Sequence, residues 1–251
     1  MRIGSFNLQH GRSLSDGRVL PERLQEAVRL LDADVLGLQE VDSNQERSDG
    51  RHLTREVAEE MGAADWRFVP ALVGTPGVEW RHAHDQDVGA ETSYGCSLVS
   101  RYPVREWHVV RLPAPRVPGR RPTGAGRIGW LLDEPRVGVA AVIEAPLGLM
   151  TVATTHLSLL QGWNMVQLRR LCHAVERLPA PQIVMGDLNM PPPLPRLATR
   201  WRPLVSARTF PGPKPRVQLD HVLARGDLPP VRSVRTHALS VSDHRAVVFE
   251  L

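Results

Sequence analysis

Apolar residues gather along this chain in short runs bounded by Gly, Pro or Asp, and several of the runs are rich in β-branched side chains. Runs of this kind read as strands. They predict strands over Arg2–Leu8, Asp34–Glu40, Trp66–Ala71, Tyr94–Ser100, Val137–Glu144, Met150–His156, Gln182–Asp187, Val217–Leu223 and Arg245–Leu251. Helical spacing recurs in three places. Pro21–Leu31 carries Leu24, Ala27, Val28 and Leu31 on one face behind a first-turn proline, and Leu53–Met61 is stopped by Gly62. Met165–Leu178 directs Val166, Leu168, Leu171, Val175 and Leu178 inward and ends at Pro179. Many strands with few helices predict two sheets packed face to face with helices outside. Gly74–Glu91, Pro113–Gly129 and Met190–Pro215 read as loops too poor in apolar residues to build a second domain, so residues 1–251 are expected to form one domain.

Composition narrows the class. In 251 residues, 42% hydrophobic and 23% charged is ordinary globular balance, which excludes a collagen-like or wholly disordered chain. No apolar stretch approaches the ~20 residues that span a bilayer. The opening MRIGSFNLQHG lacks the apolar core of a secretory signal, so a cytoplasmic protein is expected. Two cysteines, Cys96 and Cys172, cannot build a disulfide scaffold or a four-thiolate zinc site. The net charge of +4 admits an anionic partner, but Lys214 is the only lysine beside 30 arginines. Codon bias explains that imbalance as readily as a polyanion footprint does.

Polar residues fall at telling places. Asn7 and Glu40 close apolar strands, in SFN and VLGLQE; His156 closes VATTH, and Asp187 closes IVMGD with Asn189 two residues on. Asp220 interrupts VQLDHVL, and Asp243 and His244 stand before the last strand. Each alone has a bland reading: a solvated loop carboxylate, an Asx turn, a satisfied strand histidine. Together, on one rim, they would make a carboxylate-rich pocket.

Taken in order, SFNLQHG, GLQEVD, SYGCSLVSRYPV, TVATTHLS, VMGDLNMPP, QLDHVLA and SVSDHRAVVFEL resemble the endonuclease/exonuclease/phosphatase (DNase I-like) superfamily of metal-dependent phosphoesterases. The resemblance runs from Asn7 to His244. It implies a four-layer α/β/β/α sandwich with the active site at one edge of the paired sheets. It also implies that Glu40 is the principal ligand of Mg²⁺ or Mn²⁺, with Asn7 and Asp243 close to the metal or its waters. Asp187 would activate the attacking water, Asn189 would orient it or hold a phosphate oxygen, His156 and His244 would bond the phosphoryl oxygens, and Asp220 would orient His244.

Elementary chemistry agrees. Hard carboxylate and amide oxygens suit Mg²⁺ or Mn²⁺, and the anionic phosphoryl group must be neutralised before water attacks it. An extended backbone would point Asp187 and Asn189 to one side. Hydrolysis by activated water needs no covalent intermediate. Cys96 stands where the family commonly has Asn or an acidic residue that can support His156, so either His156 finds another partner, such as Glu91 or Ser93, or its role is weaker here.

The substrate is less legible. Arg116, Arg120, Arg121 and Arg127 in the Pro113–Gly129 loop could track a nucleic-acid backbone, and Trp80, Trp107, Trp130 and Trp163 are candidate rim aromatics. In RHAHDQD, His82, His84, Asp85 and Asp87 read as a second metal site or as a solvated polar loop. The leading expectation is a monomeric phosphodiesterase of nuclease type acting on DNA or RNA, without integral membrane contact. The alternatives are a phosphoesterase for a small metabolite or lipid headgroup, and an inactive binding scaffold.

Overall fold

The computed structural model describes residues 1–251 apart from Val88, Ala90, Arg116, Val117 and 124–126; of residues 120–123, 127, 128 and 131 it describes the backbone alone. The strands are β1 (Arg2–Asn7), β2 (Val35–Ser43), β3 (Asp65–Thr75), β4 (Glu79–His82), β5 (Ser93–Ser100), β6 (Val104–Leu112), β7 (Gly119–Thr123), β8 (Arg127–Leu131), β9 (Arg136–Ala145), β10 (Gly148–His156), β11 (Gln182–Asp187), β12 (Arg202–Pro203), β13 (Asp220–Arg225), β14 (Ser233–His237) and β15 (Ala246–Glu250). The helices are α1 (Pro21–Leu31), α2 (Leu53–Met61), α3 (Trp163–Val175) and α4 (Leu194–Thr199).

Seven strands form one sheet in the order β14-β15-β1-β2-β5-β3-β4, and six form another in the order β12-β13-β11-β10-β9-β6. Each contains one parallel pair, β1/β2 and β10/β11. Successive side chains of a strand point to opposite faces, and both faces of these sheets are covered, so the central strands read as unbroken apolar runs. Ile3 and Val35 of the first sheet bury against Val139, Val152, Ile183 and Met185 of the second. Their neighbours turn outward: Phe6, Leu36 and Leu38 pack under α1 and α2, while Ala140, Ala153 and Val184 pack under α3 and α4. The result is the expected α/β/β/α sandwich.

The sheets approach closely at Gly37, where an added Cβ would lie 2.7 Å from Thr154 Oγ1. The neighbouring Gln39 crosses the interface to donate to Thr154 Oγ1 at 2.8 Å. Gly138 is equally constrained, since a Cβ there would meet Leu171 Cδ1 of α3 at 2.5 Å.

Several expectations shift. Strands β4, β6, β7, β8, β12 and β14 and helix α4 form where loops or nothing had been expected. Asp220 opens β13 instead of interrupting a strand from Val217. Helix α3 begins at Trp163 and ends at Val175, and Val166 is 48% exposed. Beside the buried Leu168, Leu171, Cys172 and Val175, two of its inward positions are polar residues that stitch loops together: Asn164 donates to Asn189 O at 2.9 Å, and Gln167 accepts from Ser158 N and donates to Pro113 O, both at 2.8 Å. No helix among the described residues is long and apolar enough to cross a membrane.

Candidate active site

Strand pairing gathers the site. In the second sheet His156 is the register partner of Asp187, and Asp187 is the partner of Asp220. Three polar residues therefore lie in one row where β10 and β11 end and the antiparallel β13 begins. In the first sheet Asn7 ends β1 opposite Gln39, next to Glu40. The register of β2 against β5 shifts between Leu38 and Val41, and Glu40 within that irregularity takes φ +54°. Asn189 (φ +50°) and Ser242 (φ +76°) also sit in left-handed backbone beside the site. Non-glycine residues held this way cost roughly 1–3 kcal/mol each and persist where surrounding structure fixes them. Ser242 shows how: its hydroxyl donates to Asn7 O at 2.6 Å and accepts from His244 N at 3.0 Å, tying the entry to β15 onto the end of β1.

All eight sequence-predicted residues meet at this rim, along a cleft of about 590 Å³ bounded by Glu40, Asp187, Asn189, Asp243, His156 and His244. Asn7 joins the sheets: its Nδ2 donates to Glu40 Oε1 and to Asp187 Oδ2, each at 3.0 Å. Asp187 Oδ1 accepts from Asn189 N at 3.0 Å, so the bland Asx-turn reading of Asp-x-Asn is also true. Asn189 is not extended, and it reaches the site through that turn.

His244 Nδ1 lies 2.9 Å from Asp220 Oδ2, the expected orienting pair, and its Nε2 lies 3.6 Å from Asp187 Oδ2. Phe210 covers the imidazole, with ring centroids 4.8 Å apart. Burial alone would lower this imidazole, but Asp220, Asp187 and Asp243 outweigh it and raise His244 to about 10. Burial raises the Glu40 and Asp187 carboxyls above the usual range. His156 moves the other way: burial, then Arg136 and His244, push it well below the ordinary histidine range.

The donor set fits a hard divalent cation. Glu40, His156 and Asp187 each bring a ligand atom within 4.8 Å of the others. Among the described residues neither Glu40 nor Asp243 is ion-paired, and Glu40 receives a hydrogen bond from Asn7 alone. Carboxylate oxygens left facing a cleft without a cation are what Mg²⁺ or Mn²⁺ takes. His156 is the exception, because both its ring nitrogens already face protein donors.

Other expectations are corrected. Neither Glu91 nor Ser93 supports His156; Arg136 Nη1 stands 3.0 Å from its Nδ1, and Arg136 Nη2 donates to Asp133 Oδ1 at 2.9 Å. Asp133 in turn accepts from the Ser158 hydroxyl. Sequence signals at C-terminal strand ends miss this group, because Arg136 opens a strand. Arg136 begins β9, which runs antiparallel to β10, so its start lies on the same rim as His156. Cys96 is buried, its thiol pushed up by burial to about 12, which disqualifies it as a nucleophile. RHAHDQD is the end of β4 and the polar loop after it: Arg81 pairs with Asp87 at 2.7 and 2.9 Å, and Arg111 with Asp85 at 3.3 Å. Trp80 lines the cleft and Trp130 is 75% exposed, whereas Trp107 packs against the inter-sheet core and is no rim aromatic. Trp163 opens α3, 37% exposed. Arg116 lies outside the described residues, as do the side chains of Arg120, Arg121 and Arg127. Arg47, also lining the cleft, grips the fully buried Asp42 with two bonds of 2.7 and 2.8 Å and lies over the Tyr94 ring.

A paired-sheet sandwich with carboxylates, amides and imidazoles on one rim defines the class of metal-assisted hydrolases. The model of the Endonuclease/Exonuclease/phosphatase family matches residues 4–244. The chain belongs to that family, whose members hydrolyse phosphoester bonds. Solved structures share the fold. An endonuclease/exonuclease/phosphatase from Beutenbergia cavernae superposes with a TM-score of 0.69 at 21% identity, over 99% of this chain and 70% of that one. A Bacteroides thetaiotaomicron mannosyl-6-phosphatase gives 0.68 at 16%, over 100% and 98%. The human Nocturnin catalytic domain with bound sulfate gives 0.63 at 20%, over 99% and 93%. No curated protein matches the chain.

Proposed function

We propose that the protein hydrolyses phosphodiesters with a divalent metal, by direct attack of a water that Asp187 deprotonates. The observation that carries this reading is the placement of Asp187: Asn7 and Asn189 hold its two oxygens at 3.0 Å, and His244 stands 3.6 Å away. Burial raises its carboxyl, which strengthens it as a base near neutral pH. His244, kept cationic by Asp220, and His156 present donors to the phosphoryl oxygens. Glu40, Asn7 and Asp243 would hold Mg²⁺ or Mn²⁺, which when bound neutralises phosphoryl charge and stabilises the leaving oxygen.

A diester is favoured by the charge of the cleft. Its two lining arginines, Arg47 and Arg136, are both engaged with carboxylates, Asp42 and Asp133. Glu40, Asp133, Glu134, Asp187 and Asp243 line the same space. A monoester would enter as a dianion against that field, a diester as a monoanion. Trp80 lines the cleft and offers a face on which a base can stack, supporting the nuclease-type reading with DNA or RNA as substrate. The test is turnover of bis-p-nitrophenyl phosphate against p-nitrophenyl phosphate, with DNA and RNA in parallel, with and without Mg²⁺ or Mn²⁺, and with Asp187→Asn as blank. Metal-dependent turnover of the diester above the monoester is expected; preference for the monoester would replace the diester reading by a phosphatase.

A further inference from the structure

We propose that Arg136 is a positioning residue that fixes His156 in the tautomer carrying its proton on Nε2, aimed into the cleft. A guanidinium has five N–H donors, no acceptor, and does not lose its proton in proteins. Arg136 Nη1 lies 3.0 Å from His156 Nδ1, and both residues are buried. Nδ1 must therefore be the bare nitrogen that accepts. A protonated Nδ1 would set two buried donors face to face, at a cost on the scale of an unmade buried hydrogen bond.

The guanidinium cannot swing away to relieve such a conflict. Its Nη2 is bonded to Asp133 at 2.9 Å, and the other oxygen of Asp133 is occupied by the Ser158 hydroxyl. Asp133 and Ser158 are as buried as Arg136 itself. The chain Ser158–Asp133–Arg136–His156 thus runs from the loop after β10 to the imidazole and back.

The proton then resides on Nε2, which among the described residues has no acceptor within hydrogen-bond reach. The Asn189 amide nitrogen, 3.0 Å from Nε2, gives one of its two hydrogens to Leu157 O at 2.9 Å, so a donor faces each ring nitrogen. The one at Nε2 belongs to a neutral, half-buried amide at the cleft and the one at Nδ1 to a buried guanidinium held by Asp133, and the ring proton avoids the charged donor. Asp187 Oδ2 is 3.6 Å away. Nε2–H is a donor held in reserve for an oxygen that enters the cleft. A carboxylate or amide oxygen supporting His156 would bind the proton on Nδ1 instead and leave Nε2 bare. With Arg136 in that place, the two histidines of the site divide their work: His244 supplies positive charge, and His156 supplies a neutral, directed hydrogen bond.

The test reads the tautomer directly, in metal-free protein with ¹⁵N-labelled imidazoles, by long-range ¹H–¹⁵N correlation at neutral pH. His156→Gln assigns the signal. The expected result is a neutral His156 with Nε2 protonated, and a mixed or Nδ1-protonated ring in Arg136→Met. Arg136→Lys, which restores a donor, should return part of the Nε2–H signal. Kinetics on a diester should show kcat falling about 10–100-fold in Arg136→Met, with KM changed less and partial rescue by Lys. Only this kinetic arm rests on the phosphodiesterase reading. If the wild-type protein turned over no phosphoester at all, that reading would fail while the tautomer still decided the role of Arg136. An Nδ1-protonated or doubly protonated His156 in the wild type overturns the proposal without any variant having to fold. An unchanged tautomer in a folded Arg136→Met overturns it as well.

Discussion

Asp187 and Asp220 are register partners across β11 and β13, and His244 spans them, with Nδ1 2.9 Å from Asp220 and Nε2 3.6 Å from Asp187. Two buried carboxylates side by side repel each other unless a cation lies between them. The imidazolium is that cation. Asp220→Asn removes the charge that keeps His244 protonated while preserving its shape. Turnover should fall by about 10²–10⁴-fold, with KM little changed, because the lost interaction matters most as charge develops on the phosphoryl group. Steady-state kinetics on a diester across pH 6–9 checks this, and the largest loss is expected toward the alkaline side.

The same pair gives a stability signature without metal. The folded-state value of His244, about 10, lies above its unfolded value near 6.5. The folded protein thus holds this proton more tightly, and the contribution is fully present below about pH 6.5. It is lost as pH rises through about 10. Urea denaturation of the metal-free protein should show stability declining between those limits, and His244→Gln should flatten that part of the profile.

Glu40 is the carboxylate on which the metal assignment stands. It projects from left-handed backbone at the β2 irregularity, and among the described residues its side chain receives a hydrogen bond from Asn7 alone, at 3.0 Å. Glu40→Gln keeps volume and an acceptor oxygen but removes the charge. Calorimetric titration with Mn²⁺ should show at least about tenfold weaker binding, roughly 1.4 kcal/mol, with the fold unchanged. Asp187→Asn should abolish turnover yet bind Mn²⁺ nearly as well. Unchanged binding in Glu40→Gln would remove Glu40 from the ligand set.

Much of this arrangement is legible in the sequence because both faces of each sheet are covered, which keeps strand interiors apolar and makes the polar strand ends easy to find. SFN, VLGLQE, VATTH and IVMGD announce where Asn7, Glu40, His156 and Asp187 fall. What stays hidden depends on pairing direction. Arg136 reads as the first residue after a proline turn until β9 is known to run antiparallel to β10. Asn164 and Gln167 occupy the buried side of α3 because of bonds to loops distant in sequence, so Val166 is displaced to the surface against its hydropathy. The strands β6 and β14 expose part of their length at sheet edges and lack a strongly apolar run.

Cys96 offers a check on the nucleophile. It lies buried in β5, with its thiol raised to about 12 by burial. Cys96→Ala should keep turnover within a few-fold of wild type, and iodoacetamide should leave the folded protein's Cys96 unmodified at neutral pH while labelling it in urea. Mass spectrometry of the alkylated peptide reads both. Rapid labelling of the native thiol with loss of activity would reopen covalent catalysis.

Arg47 lines the cleft and grips both oxygens of the fully buried Asp42 at 2.7 and 2.8 Å. Burial pushes the Asp42 carboxyl up, and the guanidinium opposes that shift. Breaking a buried pair from one side strands an uncompensated charge, typically at about 3–5 kcal/mol. Arg47→Met should therefore lower the urea midpoint strongly with little change in the slope of the transition. Replacing both partners, Asp42→Leu with Arg47→Met, leaves no charge to strand and should recover most of that loss, giving a coupling energy well outside the additive range. The double variant also separates stability from chemistry. Arg47 carries charge at the cleft, but that charge is already neutralised by Asp42, so a refolded double variant should keep kcat on a small diester within a few-fold of wild type. A large loss of kcat there would mean that the Arg47 guanidinium reaches the substrate in spite of its ion pair.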